Sequence, residues 1–224
     1  MSDFFDYRLE YSKLGAMKYL GHIDLMKLFH KLFRMSGLLT VFSQGFNPHQ
    51  ILTIAHPLSL GMEGRRELAD FRLSVASDSR EIIAALNARS PEGLRVFGVR
   101  PLEKGEKNCA ALVAAADYRV YVGESAGLAE AALELLSRDE IITGKRTKSG
   151  TSQADIRKDI FGLAVYEPGM LEMRISAGSA ANLKPQLVVS EMFRDLGKEY
   201  NENLPRYERI QLLRRLGDGF EALL

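Results

Sequence analysis

The chain has one cysteine and no tryptophan among its 224 residues. A single thiol, Cys109, excludes an internal disulfide and any metal cage or iron–sulfur cluster built from cysteines of this chain, because such sites need several thiolates. No run approaches the roughly 18 apolar residues that a membrane-spanning helix needs. The acidic amino terminus lacks the basic and apolar segments of a signal peptide. These absences predict a cytoplasmic protein that is not itself a redox enzyme.

The chain as a whole also lacks an excess of positive or negative charge. The formal net charge is +1, so an electrostatic footprint for nucleic acid must come from local clusters. With 46% hydrophobic and 26% charged residues, the composition is that of a globular protein. The length allows either one larger domain or two small ones.

Strand-like and helix-like periodicities follow one another in the same order twice. In the first half, strands are predicted at 5–12, 38–42, 51–55, 68–75 and 94–99, and helices at 22–36 and 79–89. In the second half, strands are predicted at 118–122, 140–143, 171–175 and 209–213, and helices at 128–136 and 186–196. Apart from one extra strand in the first half, the order in each half is β-α-β-β-α-β, which is that of the ferredoxin-like fold. We therefore expect an α+β protein with two tandem ferredoxin-like lobes and mainly antiparallel sheets, over residues 1–103 and 116–224. The polar and alanine-rich stretch between them, which holds Cys109, is expected to be a poorly structured linker.

The densest polar, turn-forming segment of the first half is Ser43-Gln44-Gly45-Phe46-Asn47-Pro48-His49. Glycine permits backbone conformations that point N–H groups at a bound anion or amide, and proline forces the residue before it to be extended. A ligand-binding loop is one interpretation. The other is a plain hairpin loop whose Asn and Ser side chains bond to their own backbone.

Two residues in the first turn of the first predicted helix complete this candidate site. By helical periodicity His22 lies on the core-facing side of the helix, at the edge of the sheet, where it is either a half-buried structural residue or a group for proton transfer. Asp24 suits the helix dipole. A β-α-β unit can bring His22 close to His49. The predicted ligand-binding corner is therefore His22, Asp24, Ser43, Gln44, Phe46, Asn47 and His49.

Two local basic clusters are candidates for nucleic-acid binding. Lys27, Lys31 and Arg34 lie on the outward face of the first helix, and Lys145, Arg146 and Lys148 lie in a glycine- and serine-containing segment read as a mobile loop. Solvated surface is the alternative for both. No pair among His22, His30, His49 and His56 has metal-ligand spacing, so neither a metal nor another cofactor is expected. Glycine-rich nucleotide motifs are absent as well.

Several runs resemble a bacterial radical-SAM-linked family of unknown function. They are Tyr7-Arg8-Leu9-Glu10-Tyr11, Gly21-His22-Ile23-Asp24, Ser43 to His49, Pro57-Leu58-Ser59-Leu60-Gly61, Asp155-Ile156-Arg157 and Asn182-Leu183-Lys184-Pro185. Gly21 stands where the family usually has serine. Members of the family are either fused behind a cobalamin-type radical-SAM enzyme or encoded beside one. The resemblance therefore implies a separately encoded radical-SAM enzyme as partner.

Three functions remain open from the sequence. The first is a non-catalytic accessory or substrate-binding protein for the radical-SAM partner, acting on RNA or a ribonucleoprotein. The second is a metal-independent endoribonuclease, with His22 or His49 as general base and Lys18 or Arg34 stabilising the phosphate. The third is a protein-interaction scaffold, which the near-neutral charge fits. Whether the chain is an enzyme is left undecided.

Overall fold

The computed structural model describes residues 4–123, 126–147, 150–201 and 204–223, with the backbone alone at 145–147 and 150–152. The chain divides into two compact units. The first comprises Met1–Val113 and Gln211–Leu224, and the second comprises Ala114–Ile210. The division falls inside the stretch that was expected to be a linker. The carboxy-terminal residues, which were expected to lie wholly in the second domain, belong partly to each unit.

The first unit carries two main helices against a mainly antiparallel sheet. Its elements are β1 Phe5–Lys13, α1 His22–Met35, β2 Leu52–Ile54, β3 Glu63–Leu73, α2 Ser79–Asn87, β4 Leu94–Pro101, α3 Cys109–Leu112 and β11 Gly219–Ala222, together with residues 211–216 of β10 Arg206–Leu216. β4, β1 and β3 are neighbours in that order, β2 pairs with β3 beside this path, and each of these pairs is antiparallel. A 3-10 helix, Gly15–Tyr19, joins β1 to α1.

Aromatic side chains form the centre of the first core. Tyr11 meets Phe29 edge to face at 5.0 Å between ring centroids, and Phe33 stacks on Phe71 at 5.1 Å. Tyr7 stacks on the other side of this group, 5.5 Å from Phe71. All five rings are buried, so these contacts fix the inner face of α1 to β1 and β3. Its outer face is left to solvent.

The opposite side of this sheet is closed by the stretch that was expected to be unstructured. Arg8 is 3% exposed and donates from Nε and Nη2 to Asp70, at 2.8 and 3.0 Å. Its guanidinium also reaches Glu106 and the backbone carbonyl of Lys107. The backbone N–H of Cys109 donates to the same Asp70 carboxylate at 2.7 Å. The expectation of a loose linker is therefore wrong here, because a buried arginine and a carboxylate tie residues 106–109 to the sheet.

The second unit has a four-stranded sheet and a separate hairpin. Its elements are β5 Ala115–Tyr121, α4 Leu128–Ser137, β6 Ile142–Thr147, β7 Gly150–Asp155, β8 Ile160–Glu167, β9 Met170–Ser176 and α5 Pro185–Asp195, with residues 206–210 of β10. The strand order is β10-β5-β9-β8, and β6 pairs with β7 alone. Both β5 and β8 run antiparallel to β9.

Several sequence expectations are confirmed, and two are wrong in addition to that of a loose linker. The mixed helix–strand plan with mostly antiparallel pairing is confirmed, as are the helices α1 and α2. A left-handed Gly37 (φ +70°) follows α1, and Asp78 caps α2. The strand predicted at 38–42 is reduced to isolated bridges at Thr40 and Phe42. Lys145 and Arg146, which were predicted to lie in a mobile loop, lie instead in β6, paired with β7, and Lys148 lies outside the described residues. Within the described residues, no helix is long and apolar enough to cross a membrane.

Candidate functional site

The Ser43–His49 loop is the turn of a short hairpin beside β2. The backbone N–H of Ser43 donates to the His49 carbonyl at 2.8 Å, and that of Ile51 donates to the Val41 carbonyl, also at 2.8 Å. The Ser43 hydroxyl accepts from the backbone N–H of His49 at 3.1 Å. Gly45 adopts φ +121°, a conformation that side-chain-bearing residues rarely take. The two ends of the loop are therefore closed on each other, and its tip, residues 44–47, is exposed.

The His49 imidazole is oriented by two neighbours from the same loop. Its Nδ1 lies 3.0 Å from the Ser43 hydroxyl and 3.2 Å from the Asn47 backbone carbonyl. A carbonyl only accepts, so this contact favours the tautomer with its proton on Nδ1. In that tautomer Nε2 carries a lone pair. The ring is exposed, and it therefore offers an oriented acceptor to a ligand.

Phe46 stands at the tip of the loop and is completely exposed, with a relative accessibility of 106%. Gln44 and Asn47 beside it are exposed too. Leaving a phenylalanine ring entirely in water gives up roughly 1.5–3 kcal/mol that burial would supply. A loop that is closed by its own hydrogen bonds thus presents an aromatic face and two amides together.

Helix α1 flanks the base of this loop through His30, a residue that sequence reasoning left out of the site. The pKa of His30 is lowered from its ordinary value, first by burial and then by the neighbouring His49, with a partial opposing effect from the Gln50 backbone. The His30 Nε2 atom is buried and has no hydrogen-bond partner in the described chain. Gln50 is 4% exposed and donates to the Thr40 hydroxyl at 2.6 Å, while its own Oε1 has no partner among these residues. Two buried polar atoms next to the loop, His30 Nε2 and Gln50 Oε1, are therefore without a hydrogen-bond partner among the described residues.

The basic face of α1, made of Lys27, Lys31 and Arg34, borders this flank. All three side chains are exposed. At about 100° per residue, His30 lies beside this stripe on the helix surface, and His49 of the loop is close enough to lower the pKa of His30. Lys27 forms an exposed ion pair with Asp24 at 3.3 Å, while Lys31 and Arg34 pair with no carboxylate among the described residues. The stripe therefore carries two uncompensated positive charges next to the loop.

The structure assembles only part of the predicted ligand-binding corner. Ser43, Asn47 and His49 are bonded to one another, and Gln44 and Phe46 share their loop. His22 is exposed on the first turn of α1, and its side chain makes no hydrogen bond in the described part of the chain. Asp24 is engaged with Lys27. Within residues that the structure describes, no hydrogen bond or ion pair joins His22 or Asp24 to the loop.

Of the second basic cluster, the structure describes the backbone only in part. Lys145 and Arg146 lie in β6, paired in register with Ser152 and Thr151 of β7. Their side chains, and all of Lys148, lie outside the described residues. Elsewhere in the described chain, no three His, Cys, Asp or Glu side chains come together as a set that can hold a metal ion.

A family of bacterial proteins described as "Uncharacterized protein conserved in bacteria (DUF2344)" matches residues 6–185, which is most of the chain. The chain belongs to this family. No curated protein matches it. The part of the chain that DUF2344 matches contains the Ser43–His49 loop, the basic face of α1 and the β6–β7 hairpin, and it ends at the first residue of α5.

Two signals in the sequence point to the residues that were missed. His30 follows Lys27 by three positions and precedes Arg34 by four, which places it on the border of the basic stripe. Gln50 directly follows the loop, at the start of a short apolar strand where a polar side chain alternates inward. Neither signal shows that the two meet, because that depends on how β2 lies against α1.

Proposed function

We propose that this protein is an accessory RNA-binding protein that works with a separate radical-SAM enzyme, and that the Ser43–His49 loop and the basic face of α1 contact the RNA. The complete exposure of Phe46 on an internally bonded loop is the observation that carries this proposal. Unpaired bases of single-stranded RNA stack on such aromatic rings, and their edges bond to nearby amides and imidazoles. Gln44, Asn47 and His49 supply those groups.

The cations next to the loop suit the phosphates of the same strand. Lys31 and Arg34 are exposed, and neither forms an ion pair with a carboxylate within the described residues. Neutralising phosphates releases counterions from the nucleic acid, which gives affinity without sequence preference. Stacking and hydrogen bonding at the loop then provide the selection among bases.

The fold proposed for both units supports an RNA-directed role only by analogy. We propose that each unit is a ferredoxin-like lobe. In the first unit β4-β1-β3-β2 has the strand order of that fold, with α1 and α2 as its two helices. In the second unit β10-β5-β9-β8 has the same order, with α4 and α5 as the helices and the β6–β7 hairpin as an insertion.

The radical-SAM partner in this proposal is supported by resemblance. The Ser43–His49 run and the Pro57–Gly61 run are similar to those of radical-SAM-linked proteins. The single thiol of this chain is buried and cannot supply the three thiolates that such a cluster needs, so the cluster would belong to the partner. Co-elution of the two purified proteins tests this part separately from RNA binding.

The direct test measures the affinity of the purified chain for a labelled single-stranded RNA by fluorescence anisotropy, at about 50 mM and about 200 mM salt. Phe46→Ala should weaken binding about 5- to 150-fold, since a stacked base contributes roughly 1–3 kcal/mol. The matched control is Phe97→Ala, which removes another exposed phenylalanine of the same unit. The Lys31→Ala/Arg34→Ala variant should reduce the salt slope by about 1.4, the value for two phosphate contacts with a single strand.

Equal effects of Phe46→Ala and Phe97→Ala, or no binding at either salt concentration, would overturn the proposal. The same samples are run on a denaturing gel. RNA that stays intact agrees with an accessory role, whereas RNA that is shortened, and is no longer shortened by His49→Ala protein, would replace that role with the endoribonuclease alternative.

A further inference from the structure

The second unit contains a cavity of about 410 Å³ on the exposed face of its sheet. It lies over β5, β9 and β8, and its lining includes Asp117, Arg119, Phe161, Gly162, Glu172 and Arg174. This volume is within the range of small-molecule sites, roughly 300–1,000 Å³. None of these residues belongs to the loop or to the basic face of α1. The cavity is therefore separate from the surface proposed to bind RNA.

The strand register explains why this face is hollow. Arg174 of β9 is opposite Asp117 of β5 on one side and opposite Gly162 of β8 on the other. One pleat further along β9, Glu172 is opposite Arg119 and Ala164. Long side chains thus cover β5 and β9, whereas β8 carries a hydrogen and a methyl group at the matching positions. The floor of the cavity is consequently bare backbone and small side chains.

Both arginines in the cavity are held by carboxylates and still have donors to spare. Arg174 donates from Nε and Nη2 to Asp117, at 2.7 and 3.0 Å. Arg119 donates from Nε alone to Glu172, at 2.7 Å. Neither Nη of Arg119, nor Nη1 of Arg174, has an acceptor among the described residues. An arginine fixed in this way loses little freedom when it binds an oxyanion.

Aromatic rings lie at the borders of the same hollow. Phe161 lines it and is 40% exposed. Tyr166 is 61% exposed, and the Arg119 guanidinium lies over its ring, 5.6 Å from the centroid. Arg119 is thus oriented from two sides, by Glu172 and by Tyr166. A flat apolar group placed over Gly162 would meet the exposed part of Phe161.

We propose that this cavity binds a nucleotide, with the phosphate on the free Nη groups of Arg119 and Arg174 and the base over Gly162 against Phe161. The donors match an oxyanion and the flat floor beside an aromatic ring matches a base, so both halves of the ligand are accounted for. The ligand is a nucleotide unit of RNA or a free mononucleotide, since both present the same chemistry.

Charge separates this site from the surface of the first unit. Two arginines and two carboxylates sum to zero here, so long-range attraction adds little and short, directed hydrogen bonds dominate. Binding should therefore change less with salt than RNA binding at Lys31 and Arg34. A failure of one site can then be told from a failure of the other by the salt dependence and by variants that belong to each.

The test is equilibrium dialysis of the full chain against labelled AMP, compared with adenosine and with inorganic phosphate. Arg119→Gln should weaken AMP binding about tenfold or more, as expected for a lost hydrogen bond to a charged group. Gly162→Val fills the floor and should abolish binding. A Cβ at Gly162 meets only Arg174 Cβ, at 3.8 Å, so the backbone tolerates a side chain. Arg138→Gln is the control that leaves AMP binding unchanged, because this arginine of the same unit pairs with Glu134 and Asp195 and does not line the cavity.

Far-UV circular dichroism verifies that each variant is folded, and Arg119→Lys, which keeps the charge but not the fork of donors, gives a second reading at the same position. Competition by single-stranded RNA assigns the ligand to an RNA nucleotide, and its absence assigns it to a free mononucleotide. Adenosine or phosphate binding as tightly as AMP, unchanged binding by folded Gly162→Val protein, or no AMP binding at millimolar concentration would each overturn the proposal.

Discussion

Two ion pairs join β1 to β3 one pleat apart, with nearly the same geometry and very different burial. Arg72 donates to both oxygens of Asp6 at 2.7 and 2.9 Å, and Arg8 donates to both oxygens of Asp70 at 2.8 and 3.0 Å. The side chains of the first pair are 35% and 41% exposed, those of the second 3% and 9%. Comparing Asp6→Asn with Asp70→Asn therefore shows how much burial, with the additional Cys109 N–H bond to Asp70, changes the energy of such a pair.

The expected magnitudes follow from what each substitution leaves behind. In Asp70→Asn, Arg8 stays buried without its main counter-charge, and an amide donor faces the donors of Arg8 and of the Cys109 backbone. Breaking a buried pair in this way costs about 3–5 kcal/mol. Glu106 and the Lys107 carbonyl still contact Arg8, so we expect the lower end, about 3 kcal/mol. An exposed pair such as Asp6–Arg72 contributes only about 0.2–1 kcal/mol.

Urea unfolding followed by far-UV circular dichroism measures both losses. In thermal unfolding of a chain of this size, a loss of about 3 kcal/mol in the free energy of unfolding corresponds to a decrease in Tm of roughly 6–12 °C. Asp6→Asn should lower Tm by less than about 4 °C. Equal losses in the two variants, or a loss below about 1 kcal/mol in Asp70→Asn, would contradict the argument that burial determines the energetics of these pairs.

Four other changes have defined outcomes. The hydrogen bond from Arg100 holds the pKa of Glu106 at about 2, below the usual 4.5. The contribution of Glu106 to the free energy of unfolding is therefore complete above pH 4.5 and is lost as the pH falls towards 2. Glu106→Gln should flatten that part of the stability–pH curve in urea titrations. Burial raises the pKa of Cys109 to about 12, so labelling by a thiol reagent at pH 8 should be slow in native protein and faster in the Asp70→Asn variant. Burial lowers the pKa of His30, so the unfolded chain binds the proton more readily and stability should fall as the pH drops through 6.5; His30→Gln should remove this contribution, and NMR titration of the ring measures the pKa directly. Gly21 is the N-cap of α1 and offers no side-chain hydrogen bond, and a Cβ added there would meet no atom within 4 Å. Gly21→Ser should therefore raise the free energy of unfolding by about 0.3 kcal/mol in the same urea titrations, whereas Gly21→Ala should not.

Elements with one clear period were predictable from the sequence. Helix α1 has apolar residues at three- and four-residue spacing and a glycine after its end, and α2 has a capping aspartate at position 78. The run at 38–42 is just as apolar as a strand, yet its backbone leaves the sheet to enter the Ser43–His49 hairpin. The composition of residues 38–42 cannot predict that the backbone changes direction there.

Two strands of the second unit were missed for different physical reasons. Strand β7 belongs to a separate two-stranded hairpin, and its sequence is polar and has no apolar alternation to reveal it. Strand β8 contains Gly162, and its register against β9 shifts twice, which interrupts the period of two. The cavity floor at Gly162 was hidden for the same reason, since it depends on which residue of β8 is opposite Arg174.

The candidate site, too, has one part that was predictable from the sequence and one part that depends on packing. The members of the Ser43–His49 loop were predictable because they are contiguous, and the loop bonds to itself. His30 and Gln50 were not, because they are distant in sequence and are brought together only by the packing of β2 near α1.

The two proposed sites use charge in opposite ways, and this has a consequence for how RNA binding responds to salt. Lys31 and Arg34 have no carboxylate partners in the described chain, so their attraction for phosphates is long-ranged and is screened as ions are added. Arg119 and Arg174 are neutralised by Glu172 and Asp117, so they bind a phosphate through directed hydrogen bonds and add little long-range electrostatic attraction. If the ligand of the second unit is a nucleotide of RNA, raising the salt concentration should therefore remove the contribution of the first surface before that of the cavity. The effect of Arg119→Gln, measured as a ratio of affinities, would then be nearly constant across salt concentrations, whereas the effect of Lys31→Ala/Arg34→Ala would shrink towards one.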